Sequence, residues 1–124
     1  MPTNYENEFA HYEHKDRLLY IRYKEGLYID YHTACVIVDD RLKMQSYQAC
    51  AIVCNVSHVD DVNSEAREYL ATYGSNLAKA VALYSITHTM RNLADYFVTI
   101  NKPMVPTKIF DNLYEAEKFA KIYI

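Results

Sequence analysis

The sequence predicts a single-domain α/β fold: a mixed, mostly parallel sheet entered by an N-terminal β-hairpin and covered by about four helices, in the order β-β-α-β-α-β-α-β-α. Three observations predict it. Two aromatic-rich segments two residues apart open the chain, three apolar runs of strand length follow, and each of those runs leads into a segment with helical periodicity. Strand–helix–strand crossovers set parallel strands side by side with right-handed connections, so the later runs belong to one parallel sheet.

The hairpin comes first. "EFAHYEH" (8–14) and "RLLYIRY" (17–23) are rich in aromatic and branched residues, and Lys15-Asp16 between them has the length of a two-residue turn. Lys24-Glu25-Gly26 makes the next turn and "LYID" a short extended piece. Asp30 then caps a first helix whose apolar positions are Ala34, Cys35, Val38 and Leu42.

"ACAIVCNVS" (49–57) is nearly continuous in apolar residues, the pattern of a strand covered on both faces. An acidic loop follows, then a second helix with Ala66, Tyr69, Leu70 and Tyr73 on its inner face, stopped by Gly74 as a left-handed cap. "KAVALYSI" (79–86) repeats the buried-strand pattern and leads to a third helix with Met90, Leu93, Ala94, Phe97 and Ile100 on one stripe, ended by Asn101-Lys102-Pro103. "VPTKIF" (105–110) is a last strand, at an edge or beginning with its proline. Asn112 and Glu115 form a capping-box pattern for a final helix burying Leu113, Ala116, Phe119 and Ala120.

Bulk composition narrows the class. A chain of 124 residues, 51% apolar and 23% charged, has the length and balance of one folded domain spanning 1–124, with 1–7 expected as a disordered N-terminus. The net charge of −3 is spread without a basic block, which argues against a nucleic-acid partner. No run approaches the roughly 18 apolar residues of a membrane span, and the first residues lack a signal-peptide pattern, so a cytoplasmic protein is expected. Cys35, Cys50 and Cys54 read as reduced, mostly buried thiols, since the last two lie about 13 Å apart along one strand. Thirteen tyrosines are many for this length and suggest a sticky surface or a homodimer.

With the elements in order, the chain resembles the STAS and SpoIIAA-like group, the fold of bacterial anti-sigma-factor antagonists and of lipid-binding-like small domains classed near them. The resemblance runs over most of the length. It is carried by the opening hairpin, by "AIVCNVSHVDDV" leading to "NSEA", by "AVALYSI", and by the closing "PTKIFDNLYEAEKFAKIY". It implies a bacterial, non-catalytic signalling module that binds a protein partner, a kinase or another regulator. In that group a D-S-x-G motif carries a phosphorylated serine at the start of the second helix. Here the motif falls on Asn63, Ser64, Glu65 and Ala66, so the resemblance implies Ser64 as phosphoacceptor, while an amide replaces the acid and alanine the glycine.

The residues themselves give a second reading of the same place. Asn63 or Ser64 is a helix cap, and a phosphate on Ser64 meets a favourable helix terminus but repulsive Asp60, Asp61 and Glu65. His58, Asp60 and Asp61 carry ligand atoms, yet no second histidine stands at a metal-binding spacing, so no metal is expected. A triad of Ser64, His58 and Asp61 lacks a G-x-S-x-G elbow, so no catalytic residues and no cofactor are expected.

Topology supplies a broader site. Ligands bind outside the carboxyl ends of parallel strands, and that edge gathers Ser57, His58, Asn63 and Ser64 from one loop with Ser85, Thr87, His88 and Arg91 from the next. These form a candidate rim for a protein partner or small anion, and Thr87 and Thr89 read equally as helix caps. The alternative function is a carrier or sensor of a small apolar or lipid-like ligand held between the third helix and the sheet.

Overall fold

In the computed structural model, which describes residues 3–124, a six-stranded sheet forms the centre. Its strands are β1 (Asn4–Glu6), β2 (Ala10–Lys15), β3 (Leu18–Tyr23), β5 (Cys50–Asn55), β7 (Ala78–Tyr84) and β8 (Thr107–Phe110), in the order β1-β2-β3-β5-β7-β8. The first two pairings are antiparallel and the remaining three parallel, so the sheet is mixed and mostly parallel as expected. A separate parallel ribbon joins β4 (Leu27–Ile29) to β6 (Val59–Val62). The helices are α1 (Tyr31–Met44), α2 (Ser64–Thr72), α3 (His88–Tyr96) and α4 (Leu113–Ala120).

Strand alternation sorts the sheet into two cores. Leu19, Ile21 and Tyr23 of β3, with Ile52 and Cys54 of β5, face α1, α2 and α3 through Ile37, Ala66, Met90 and Ala94. Leu18, Ala51 and Val53 face the other way, and α4 covers them with Ala116 and Ala120. At roughly 25 cal/mol per Å² of apolar surface, burying a side chain such as Ile52 or Leu19 stabilises the fold by about 2 kcal/mol. Both sides of β5 are covered, which accounts for its unbroken apolar sequence.

Several local expectations differ from the structure. The hairpin turn is Asp16-Arg17, not Lys15-Asp16: Lys15 pairs with Leu18, and both turn residues have positive φ, 54° and 66°, as the tight hairpin turn matching strand twist requires. Asn4–Glu6 forms β1 against Glu13–His11, within the stretch expected to be disordered; Met1 and Pro2 lie outside the described residues. The acidic loop is strand β6, because Val59 and Val62 find a partner in β4 and leave Asp60 and Asp61 exposed. Gly74 is not a left-handed cap; a 3₁₀ turn over Tyr73–Ser75 continues α2, and positive φ falls later, on Leu77.

The third helix runs to Tyr96 and then widens into a π turn over Phe97–Asn101, ended by Lys102 at φ 52°. The wider turn rotates the stripe, leaving Ile100 58% exposed. Leu113 and Tyr73 are likewise exposed, contrary to their expected inner positions. The strand at 105–110 begins after Pro106 and lies at the sheet edge, where a residue without an N–H costs no ladder bond.

Candidate functional site at the carboxyl ends of the strands

Asn55 ends β5 and Tyr84 ends β7, so the loops that follow emerge side by side. Ser57 ties the first to the second, and Ser85 fixes the second internally. Ser57 Oγ accepts from the Ile86 N–H at 3.1 Å, and the Ser57 N–H donates to Asn55 Oδ1 at 3.0 Å. Ser85 is fully buried; its Oγ accepts from the Thr87 N–H at 3.0 Å and lies 3.0 Å from Thr87 Oγ1. Thr87 caps α3, with its hydroxyl oxygen facing the Met90 N–H at 3.4 Å, and Arg91 donates from Nη1 to the Ser85 carbonyl at 3.0 Å.

Four of the eight rim residues therefore form one knot: Ser57, Ser85, Thr87 and Arg91. Their polar groups are already bonded, Ser85, Thr87 and Arg91 to one another and Ser57 to Ile86 and Asn55, and an anion binding there must displace those bonds. His88 is exposed at the first position of α3. His58 points elsewhere, its Nδ1 lying 3.0 Å from the Glu25 carboxylate in the β3–β4 turn.

Asn63 and Ser64 sit apart from the knot, at the start of α2. The Asn63 N–H donates to the Ile29 carbonyl at 3.1 Å, which hangs the helix on the end of the ribbon. Asn63 is the cap: its Oδ1 accepts from the Ala66 N–H at 2.9 Å, and Ser64 stands exposed in the first turn. Among the described residues no three His, Cys, Asp or Glu side chains gather as a metal ligand set, and no helix is long and apolar enough to cross a membrane.

Sequence reasoning missed two features around this site. The first is an aromatic row on the α1–α2 surface: Tyr31 meets Tyr69 edge-on with centroids 5.3 Å apart, and Tyr69 meets Tyr73 at 5.0 Å. Tyr31 and Tyr73 are 50% and 60% exposed, so the row is open to solvent rather than core. Partial burial, with the Cys35 thiol beside it, pushes the Tyr69 hydroxyl up to about 12, keeping it protonated. The abundance of tyrosine was the only sequence signal.

The second is Arg67. Its Nη1 donates to the Val62 carbonyl at 2.5 Å, its guanidinium lies 5.3 Å from the Tyr96 ring centre, and its Nε is buried with no hydrogen-bond partner. Between α2, α3 and the sheet, where the sequence reading put an apolar ligand, lies a pocket of about 80 Å³, and a second of about 80 Å³ adjoins it between α1, α2 and the sheet. They share Tyr23, Leu70, Leu83 and Phe97 as common wall. Two larger open clefts, of about 530 and 570 Å³, lie elsewhere: one on the sheet face beside Arg22, Asn55 and Tyr84, one at the opposite strand ends beside Arg17 and Lys79.

No curated protein sequence matches the chain. Solved structures share its fold, among them the following two. One is an uncharacterised protein of the DUF3478 family with a SpoIIAA-like fold, from Shewanella loihica PV-4, at a TM-score of 0.58 and 12% identity over 90% of this chain and 91% of that one. The other is the anti-sigma factor antagonist SpoIIAA in its unphosphorylated form, at a TM-score of 0.50 and 18% identity over 91% and 96%. The sequence-level resemblance to the STAS-like fold is thus shown in three dimensions. A family model described as a domain of unknown function, DUF7793, matches residues 12–124, and the chain belongs to that family, as a member with a STAS-like fold.

Proposed function

We propose that this chain is a non-catalytic, cytoplasmic regulatory module that binds a protein partner through the face made by α2, the start of α1 and the β4–β6 ribbon. The exposed row Tyr31–Tyr69–Tyr73 carries this reading. Tyrosines supply large contact area at low entropic cost and are enriched where proteins meet. Tyr28 extends the face onto the ribbon, 50% exposed and paired in register with Asp61.

Ser64 stands at the N-terminal end of the same helix and is the phosphoacceptor in this proposal. A phosphate there meets the positive end of the α2 dipole. Glu65 and Asp61 oppose it, so phosphorylation changes the sign and shape of the face rather than simply stabilising it. A kinase is the implied modifier.

Affinity capture from cells tests the proposal with wild type, Tyr31→Ser/Tyr73→Ser and Ser64→Asp. The tyrosine variant is expected to lose the partner and Ser64→Asp to change its recovery, with unfolding midpoints near wild type. Equal recovery of the same proteins by all three counts against both the face and the switch. Sedimentation of the pure protein shows whether the partner is a second copy.

The pocket under α3, with its neighbour under α1 and α2, favours a second reading, a carrier or sensor of a small apolar ligand. Native mass spectrometry of freshly purified protein checks it: a retained small-molecule adduct supports the carrier, and bare chain alone disfavours it.

A further inference from the structure

The polar content of the cavity under α3 narrows the ligand beyond "apolar". Its wall is almost entirely hydrocarbon, with Val59, Val62, Met90, Leu93 and Phe97 among its residues, and the only charged side chain in that wall is Arg67. The buried, unpartnered Nε of Arg67 is a donor with no protein atom to accept its hydrogen, which destabilises the site where it is left unmet. The rest of the guanidinium is fixed, by the Val62 carbonyl on one side and the Tyr96 ring on the other. Among the described residues Arg67 makes no ion pair with a carboxylate.

The adjoining cavity repeats the bias. It too contains a cation, Arg41, and no acid, but Arg41 is already bonded to Gln45, Gly74 and Asn76. The free donor is therefore at the Arg67 end. Each pocket alone, at about 80 Å³, is about half of the roughly 150 Å³ of an apolar cavity that accepts a benzene ring, so an aromatic body has to reach across the shared wall of Leu70, Leu83 and Phe97.

We infer that the space beneath α3 takes a compact monocarboxylate, an aromatic or branched acid whose apolar body lies against Met90, Leu93 and Phe97 and whose carboxylate receives the Arg67 Nε–H. This deepens the carrier reading and rests on it. A carboxylate supplies the charged acceptor that the buried Nε–H lacks, whereas a neutral hydrocarbon leaves that donor unmet.

Phenylacetate is the probe, titrated into the full chain while the ¹³C-labelled methionine methyls are observed; Met90 lines the cavity, and exposed Met104 is the internal control. Saturable movement of Met90 alone is expected, about tenfold or more tighter for phenylacetate than for its neutral isostere phenylacetamide. Arg67→Gln is expected to abolish that preference while leaving benzyl alcohol binding unchanged. Should Arg67→Gln not fold, Leu93→Trp, which fills the cavity, is expected to abolish Met90 movement by either ligand, and the wild-type acid-to-amide ratio still decides. Equal affinity for phenylacetate and phenylacetamide overturns the inference and leaves the carrier reading standing if benzyl alcohol moves Met90. No movement of Met90 by any of the three overturns both. Octanoate run in parallel separates a lipid-derived chain from a compact acid, and tighter binding of octanoate overturns the compact-acid assignment.

Discussion

Arg41 donates from Nη2 to the backbone carbonyl of Asn76 at 2.9 Å, across 35 positions of sequence, and from the same nitrogen to the Gly74 carbonyl at 3.2 Å. Its Nη1 reaches the Oε1 of Gln45, one turn along α1, and Gln45 in turn donates to the carbonyls of Gln48 and Leu77 at 2.9 Å. An arginine only 3% exposed thus clamps the end of α1 to the chain leaving α2, at the place where a glycine cap was expected. Burial lowers its affinity for the proton, yet three oxygen acceptors hold the fork in place.

Replacing Arg41 by methionine keeps much of the volume and removes the cost of burying a cation, but strands two carbonyls and an amide. The second effect is the larger, and a net loss of about 2 kcal/mol is expected. Arg41→Lys is expected to fall close to Arg41→Met, because a single ammonium does not reproduce the two separate nitrogens with which the fork reaches Gln45 on one side and Gly74 and Asn76 on the other. Urea unfolding followed by far-UV circular dichroism checks both, as a lowered midpoint with unchanged slope. A lysine variant as stable as wild type would mean that the charge matters and the fork does not.

The two residues at the start of α2 are separable. Asn63→Ala removes the acceptor for the Ala66 N–H and is expected to cost about 1 kcal/mol, whereas Ser64→Ala is expected to change stability by less than about 0.5 kcal/mol. Thermal unfolding of the two variants side by side provides the comparison. The reverse order would make Ser64 the cap and remove the reason for regarding its hydroxyl as available for modification.

What could be read in the sequence divides along physical lines. Elements whose signal is local were legible: the caps at Asp30, Thr87 and Asn112 are bonded in the structure as the residue types imply, and the apolar run of β5 lies buried on both faces. Signals that depend on a distant partner were not. Val59–Val62 reads as an acidic loop until Leu27–Ile29 is set beside it, since two exposed aspartates flanked by valines make a strand only in a ribbon. Arg41 and Arg67 look like surface charges on their helices, and only tertiary packing makes one a clamp and the other a donor in an apolar wall. Of the rim residues, Ser57, Ser85, Thr87 and Arg91 come together at one sheet edge while His58, Asn63 and Ser64 do not, and sequence could not show that Ser57 Oγ is taken by the Ile86 N–H or that Ser85 and Thr87 bond each other.

Gly26 is the one glycine held at positive φ, 73°, in the turn that starts the ribbon, where its N–H donates to the His58 carbonyl at 2.9 Å. The nearest atom a Cβ would meet there is an Asp60 oxygen at 3.9 Å, so space is no obstacle. Gly26→Ala is therefore expected to cost only the backbone strain, about 1 kcal/mol, and Gly26→Asn less, since asparagine tolerates this region. Stability measurements on both variants check the order; a loss of several kcal/mol in Gly26→Ala would point to a steric contact instead.

Alkaline pH is expected to unfold this protein through its buried acids. Burial pushes the Cys54 thiol up to about 12 from an ordinary 9.0, against the smaller opposing pull of Arg41 and a hydrogen bond with Tyr23. Burial also raises the Tyr12 and Tyr23 hydroxyls above their ordinary 10.0. Between about 9 and 12 the unfolded chain has released protons that the folded chain still holds, so unfolding releases protons and stability falls as pH rises. Below about pH 8 both states hold them and these groups contribute a level baseline. Each group adds a slope of at most about 1.4 kcal/mol per pH unit. Urea midpoints measured from neutral to strongly alkaline pH are expected to stay flat with respect to these groups and then fall, with Cys54→Ala falling less steeply than wild type. A wild-type midpoint that holds level through the ordinary thiol and tyrosine range would show that these groups ionise in the folded protein as freely as in the unfolded one.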